Sequence, residues 1–214
     1  MNDKSDVSVM LKEAGILFAI TLIAGIMLGF VYELTKEPIR IQQEKAVQEA
    51  CMAVFPGEQG LEFRMLESAE TGAAQEGELA AGLATNGVKI GVVYEAVAQD
   101  GEFCGYVVES TSTQGYGGNI VLYVGVAPDG TVNGVAVLDI SETVGLGMEA
   151  PKVLTPQFAG RQVERFDYTK TGSRTESEVD AISGATITTK AVVNAVNGAL
   201  LTARNLLQGG RANE

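Results

Sequence analysis

Hydrophobic positions divide the chain into three regimes. From Ala14 to Tyr32, "AGILFAITLIAGIMLGFVY" runs 19 residues without a charge. As a helix this run extends about 28 Å, close to the thickness of a bilayer's hydrocarbon core. "ELTKEP" follows it, with no small-x-small cleavage site. The pattern predicts an uncleaved single-span anchor, with a buried helix of a soluble protein as the alternative. Gly25 and Gly29 form a GxxxG pair that would let a second membrane helix approach closely. Lys4 and Lys12 flank one end, and Lys36, Arg40 and Lys45 the other. With the terminal amine the count is balanced, so charge does not orient the span.

The second regime alternates. "VAQDGEFCGYVV" (Val97–Val108) and "VAPDGTVNGVAV" (Val126–Val137) share the frame VA-x-DG-xxx-G. Asp-Gly between β-branched runs predicts hairpins with type I′ turns, 89–98 with 103–110 and 120–127 with 132–139. The alternative is chance similarity of two hairpins, and either origin predicts an antiparallel sheet. The third regime is helical. Pro38 suits a first helical turn. Ile39, Ala46, Ala50, Val54 and Phe55 then recur at near-helical spacing up to Pro56-Gly57. The helix either continues from the membrane span or kinks at Pro38. From Thr188 to Leu207, Val192, Val196, Ala199, Ala203 and Leu206 fall on one face, which predicts an amphipathic helix lying on the sheet.

Weaker signals complete the outline. Residues 58–86 are rich in Gly, Ala and Glu and read as a surface stretch with room for a short strand or helix. "PQFAGRQV" suggests a short helix, and "VERFDYTK" a strand or loop. The expected organisation is an N-terminal segment (1–13), a membrane helix (14–32), a linking helix (33–57), an α+β domain with antiparallel sheet and packing helices (58–207), and a frayed tail (208–214).

Composition then narrows the chemistry. The chain carries 15 Lys plus Arg against 27 Asp plus Glu, a net charge of −12. Such a chain will not track a phosphate backbone, so nucleic acid is not an expected partner. The absence of histidine removes Ser-His and Cys-His nucleophile pairs, His-ligated zinc and a haem axial His. Two cysteines, Cys51 and Cys104, are too few for an iron–sulfur cluster. They form either one disulfide or two thiols. Redox chemistry on this chain would need a bound organic cofactor.

One segment stands apart. "DAISGATITT" (Asp180–Thr189) places four hydroxyls and a Gly-Ala pair before the last helix. Helix capping by Ser183 or Thr186 is one reading. Attachment of a phosphate at the positive helix N-terminus is the other. "GYGG" and "GLG" mark two further Gly-rich loops, neither with dinucleotide-fingerprint spacing, and such loops taken alone are more often tight turns than ligand cradles.

"DAISGAT" resembles the D-x-x-[ST]-G-A-[TS] motif of covalently flavinylated FMN-binding domains. "GYGGNI" is similar to that family's GYGGPI loop and "ETVGLG" to its ETPGLG loop, in the same order. The chain most resembles the G subunits of Rnf-type ion-translocating ferredoxin:NAD oxidoreductase complexes. The related C subunits of Na⁺-translocating NADH:quinone reductase are usually longer. The resemblance implies FMN joined through its phosphate to Thr186, and a flavin transferase that takes FMN from FAD with Mg²⁺, releases AMP and reads Asp180, Ser183, Gly184 and Ala185. It places Glu142, Thr143, Gly145, Leu146 and Gly147 beside the isoalloxazine, and Gly115, Tyr116, Gly117 and Gly118 on the other loop. It further implies an extracytoplasmic domain, a cytoplasmic N-terminus in the cell membrane, and neighbouring membrane subunits between which electrons pass. No metal site and no side-chain catalyst are implied. Val144 and Asn119 stand where the family has Pro, which loosens both turns. Two other readings remain: a tethered module that binds a ligand without electron transfer, and a structural subunit in which "SGAT" only caps a helix.

Overall fold

The computed structural model describes residues 3–58, 60–66 and 78–210. The chain forms two compact units, Met1–Ala46 and Val47–Glu214. From Asp3 on, the first unit lies within helix α1 (Asp3–Ala53), which is continuous through Pro38. Residues 3–13 are thus helical, and no separate linking helix begins at residue 33. One helix, Met10–Ala53, is long and apolar enough to cross a membrane, and its apolar window is bare of protein contact. Thr21, the one hydroxyl of the run before Tyr32, is satisfied inside the helix by the Leu17 and Phe18 carbonyls at 3.0 and 2.9 Å. That is the arrangement an apolar solvent demands.

The second unit is built on one five-stranded antiparallel sheet in sequence order: β1 (Glu62–Met65), β2 (Val88–Val97), β3 (Phe103–Ser112), β4 (Ile120–Val126) and β5 (Val132–Ile140). β1 and helix α2 (Glu78–Thr85) occupy the stretch that carries little periodicity. Residues 59 and 67–77 of that stretch lie outside the described residues. Side chains alternate between the two faces of the sheet. Val93, Val108, Ile120, Leu122, Val124 and Val126 meet Ala191, Val192, Ala195, Val196, Ala199 and Leu200 of the last helix, α4 (Thr186–Gly210). The opposite face presents Ala96, Val107 and Tyr123 to Ala50, Cys51, Val54 and Phe55 at the end of α1. Gly125 and Gly134 pair across β4 and β5 and leave a notch for this chain end. A Cβ on Gly125 would stand 2.6 Å from the Val54 carbonyl oxygen.

Both Asp-Gly hairpins form, but not with type I′ turns. Gly101 and Gly130 have φ of +89° and +88°, whereas no non-glycine among the described residues has positive φ. In the first hairpin Gly101 N–H donates to Ala98 and Ala98 N–H to Glu102, both at 2.9 Å. In the second the same pattern links Gly130, Ala127 and Thr131. Each loop is therefore a three-residue turn ending in a glycine bulge, the alternative use of a single left-handed residue. Asp100 and Asp129 do not need positive φ, because each carboxylate instead accepts the N–H two residues on, at 3.1 and 2.8 Å.

Beyond β5 the chain crosses a 3₁₀ turn (Gly147–Glu149), helix α3 (Ala150–Val153) and a second 3₁₀ turn (Thr155–Gln157). Phe158 then packs edge-on against Phe166, with centroids 5.0 Å apart. β6 (Asp167–Thr169) and β7 (Glu178–Asp180) form a two-stranded parallel sheet, an exception to the expected all-antiparallel pairing. Helix α4 begins two residues earlier than its apolar spacing predicts and continues to Gly210. The rest of the expected tail, 211–214, lies outside the described residues.

Cys51 and Cys104 are both free thiols. Cys51 is 1% exposed. Burial pushes its thiol up to about 12, with the Glu109 carboxylate adding in the same direction.

Candidate functional site

The segment 180–189 is organised by its turn rather than by a cap. Ala185 N–H donates to Ile182 C=O at 3.0 Å, closing a turn around Ser183-Gly184. Gly184 has φ +78°, the value a type II turn requires at its third position. Thr186 is the first residue of α4, so the position before the helix is occupied by Ala185. Neither Ser183 nor Thr186 caps it, contrary to the capping reading. Thr189 instead ties the preceding turn to the helix from inside it. Its hydroxyl donates to Ala185 C=O at 2.9 Å and accepts Ile182 N–H at 3.2 Å.

This geometry leaves two things free. The first helical bond runs from Thr189 N–H to Ala185 C=O at 2.9 Å. The N–H groups of Thr186, Ile187 and Thr188 therefore lack intrahelical acceptors. The Thr186 side chain is half-buried and makes no hydrogen bond among the described residues. A hydroxyl of this kind, beside three outward N–H groups and a positive dipole end, suits a phosphate.

Two other loops close on the same place. Glu142 Oε1 accepts Tyr116 N–H at 2.7 Å, clamping the 115–118 loop to the strand exit after β5. Gly117 lies so close to this exit that a Cβ would collide with the Ser141 carbonyl. Beyond Glu142 the chain tightens: Leu146 N–H and Met148 N–H both donate to Thr143 C=O at 3.1 Å, around Gly145 at φ +77°. Leu146 then leans over the 182–185 turn, 3.1 Å from where a Cβ on Gly184 would stand.

Together the three loops enclose an open, mostly apolar cleft of about 460 Å³, lined by Tyr116, Glu142, Thr143, Leu146, Gly147 and the residues 184–188. That lies within the usual range for small-molecule and cofactor sites. Of the residues singled out in the sequence, Tyr116, Glu142, Thr143, Leu146, Gly147, Gly184, Ala185 and Thr186 line it. Gly115, Gly117, Gly118, Gly145 and Ser183 shape the loops without lining it. Asp180 faces elsewhere: its carboxylate accepts Ser173 N–H at 2.6 Å. Its backbone is gripped by Gln157, whose Oε1 accepts Asp180 N–H at 2.7 Å and whose Nε2 donates to Asp180 C=O at 3.2 Å. Ile187, Thr188 and Gln157 escape sequence reasoning. Thr188 is visible only as one of the four hydroxyls of the 180–189 segment.

The cleft suits a flavin mononucleotide on three counts: apolar walls for a ring, unpaired N–H groups for a phosphate, and a hydroxyl without a hydrogen bond beside those groups. Similarity to known proteins gives the class, an FMN-binding-domain protein. Residues 115–201 match the FMN-binding domain family, and residues 1–54 match the RnfG N-terminal region. The G subunit of the ion-translocating oxidoreductase complex of Aliivibrio fischeri strain ES114 is 31% identical over 89% of this chain and 89% of its own length. The chain belongs to this family of G subunits. The G subunit of the Na(+)-translocating ferredoxin:NAD(+) oxidoreductase complex of Acetobacterium woodii is 34% identical, with a match spanning about half of each chain (50% and 53%). Among solved structures, the C subunit of the Na(+)-translocating NADH-quinone reductase of Parabacteroides distasonis shares the fold. It has a TM-score of 0.55 and 23% identity over 79% of this chain and 95% of that one.

Proposed function

We propose that this chain is the membrane-anchored, FMN-carrying electron-transfer subunit of an Rnf-type ion-translocating ferredoxin:NAD oxidoreductase, with FMN held as a phosphoester on Thr186. One observation carries the reading: three loops far apart in sequence meet in one cleft beside an unbonded hydroxyl at a helix N-terminus. The bound flavin would supply the electron-accepting and electron-donating chemistry. The chain's own residues bind and orient it. The free N–H groups of Thr186, Ile187 and Thr188 would hold phosphate oxygens. Thr143, Leu146, Gly147 and Tyr116 would bound the ring, and Glu142 would fix the two loops in register. The Gly115, Gly117, Gly118 and Gly145 backbones allow those loops to approach.

Esterification would join Thr186 Oγ1 to the flavin phosphate, with AMP leaving from FAD and the hydroxyl proton released. The unbonded state of that hydroxyl keeps it accessible to a flavin transferase. In this reading the transferase recognises Ser183, Gly184 and Ala185 directly, and Asp180 through the turn it braces. A tether suits a domain on the extracytoplasmic side, where free FMN is not replenished. Helix α1 holds the domain at the lipid bilayer beside other subunits of the complex. It carries no ionisable residue between Ala14 and Tyr32, so ion movement would belong to those neighbours. The match to the RnfG N-terminal region favours this assembly over a quinone reductase.

The test is co-expression with a flavin transferase, then a denaturing gel read for flavin fluorescence and peptide mass analysis of the band. A fluorescent wild-type band with the mass increment on Thr186 is expected, absent in Thr186→Ala. A dark wild-type band, with the transferase active on a control domain, would overturn the reading.

A further inference from the structure

The loop that leads into the 180–189 segment is exposed yet held. β6 and β7 run parallel, and residues 170–177 alone connect them. Parallel neighbours ordinarily need a crossover of about a dozen residues or more, so a connection this short has to be tied down. Two carboxylates do so. Glu178 accepts Arg174 N–H at 2.8 Å, and Asp180 accepts Ser173 N–H at 2.6 Å. Arg161 adds bonds to the carbonyls of Glu176 and Glu178, at 3.1 and 2.7 Å. Residues 170–176 nevertheless all face solvent.

The loop's two cationic side chains are unused. Neither Lys170 nor Arg174 makes a side-chain hydrogen bond or ion pair among the described residues. Both stand on a chain whose net charge is −12. The backbone under them is fixed by Arg161, Glu178 and Asp180, so the fold does not need their charge. A held, exposed, cationic arm on an acidic protein suits a partner with an acidic surface, which the rest of this chain repels.

Asp180 links the arm to the attachment segment. Its carboxylate is committed to the arm, and its backbone N–H and C=O to Gln157. Ala181 N–H donates to Thr169 C=O at 2.8 Å, which ties the next residue to the strand from which the arm departs. A protein that reaches Thr186 must cover the residues beside it, and the arm is bonded to the first residue of that segment.

Resting on the FMN reading above, we propose that residues 170–176 are a docking arm for the flavin transferase, with Lys170 and Arg174 meeting carboxylates on that enzyme. Asp180 is the positioning residue that fixes the arm beside the attachment segment. Recognition thus extends outside residues 180–186, and Asp180 serves through its bond to Ser173 rather than as a charge the enzyme reads.

The test loads the full-length chain in detergent, made without transferase, using purified flavin transferase, FAD and Mg²⁺. The initial rate of covalent flavin incorporation is followed against chain concentration at low salt. Joint Lys170→Glu and Arg174→Glu should raise the KM for the chain about 3- to 30-fold with kcat unchanged, as for two surface ion pairs turned into repulsions. Added salt should shrink that difference. Asp180→Ala should also raise KM, and Asp180→Asn, which keeps an oxygen acceptor for Ser173 N–H, should recover most of the loss. An unchanged KM in the charge-reversed chain overturns the arm. So does a fall in kcat alone, which assigns the two cations to the attachment step. If Asp180→Asn behaves as Asp180→Ala does, the enzyme reads the carboxylate and the positioning role is overturned. If Asp180→Ala does not fold, the charge reversal and Asp180→Asn against wild type decide. In all these cases the wild-type chain is loaded and the FMN reading stands. A wild-type chain that takes no flavin, from a transferase active on a control domain, overturns both proposals.

Discussion

Thr186→Ala and Thr189→Val remove hydroxyls three residues apart at one helix start, with opposite expected consequences. Thr186 Oγ1 makes no hydrogen bond among the described residues, so deleting it leaves no group unpaired. Alanine also forms helix better than threonine, by up to about 0.7 kcal/mol. The expected stability change for Thr186→Ala is within about 0.5 kcal/mol of zero. Had this hydroxyl capped the helix, its loss would cost about 1 kcal/mol. Thr189 is fully buried and bridges Ile182 N–H and Ala185 C=O. Valine keeps its shape but orphans Ile182 N–H, at a cost of about 1–3 kcal/mol. In a domain of this size 1 kcal/mol corresponds to about 2–4 °C in Tm. Thr189→Val should therefore melt roughly 2–12 °C lower and Thr186→Ala within about 2 °C of wild type. The melts are run on protein made without transferase, so that bound flavin does not stabilise one form selectively. With transferase present, Thr189→Val should carry covalent flavin and Thr186→Ala none. A Thr186→Ala protein that melts as early as Thr189→Val would refute the division of labour. So would one that keeps its flavin.

Three further outcomes follow from the packing. Gly125→Ala forces a methyl against the Val54 carbonyl and should lower stability by about 1–3 kcal/mol in denaturant melts, an overpacking cost; an unchanged midpoint would mean the end of α1 is not seated in the notch. The Cys51 thiol has its pKa raised on folding from 9.0 to about 12, so the native state keeps a proton that the unfolded chain loses. Its contribution is complete below pH 9 and declines between pH 9 and 12, by at most about 1.4 kcal/mol per pH unit, and Cys51→Ala should flatten that alkaline slope. Gln157→Ala removes both bonds to the Asp180 backbone and should cost about 1–3 kcal/mol while lowering flavin occupancy, because β7 leads into the 182–185 turn; full occupancy would separate that strand from the site.

The sequence by itself determined whatever depends on near neighbours. The uncharged run at Ala14–Tyr32, the Asp-Gly hairpins and the apolar face from Val192 to Leu206 are local periodicities, and each forms where its pattern lies. Motif order likewise marked three loops as belonging together. Only the tertiary structure decided what those loops enclose, because residues 116, 142 and 186 meet through packing between elements far apart in sequence. The same holds for finer choices. Glycine-bulge turns replace type I′ because Asp100 and Asp129 bond forward instead of turning left-handed. Ala185 precedes the helix because Thr189 reaches back from within it. Asp180 faces Ser173 because Gln157 holds its backbone. Thr188 opens into the cleft while Thr189 is consumed, although the two are adjacent and chemically identical. A one-residue step around a helix turns a side chain by about 100°, and which direction meets a cleft is set by the partners packed around it.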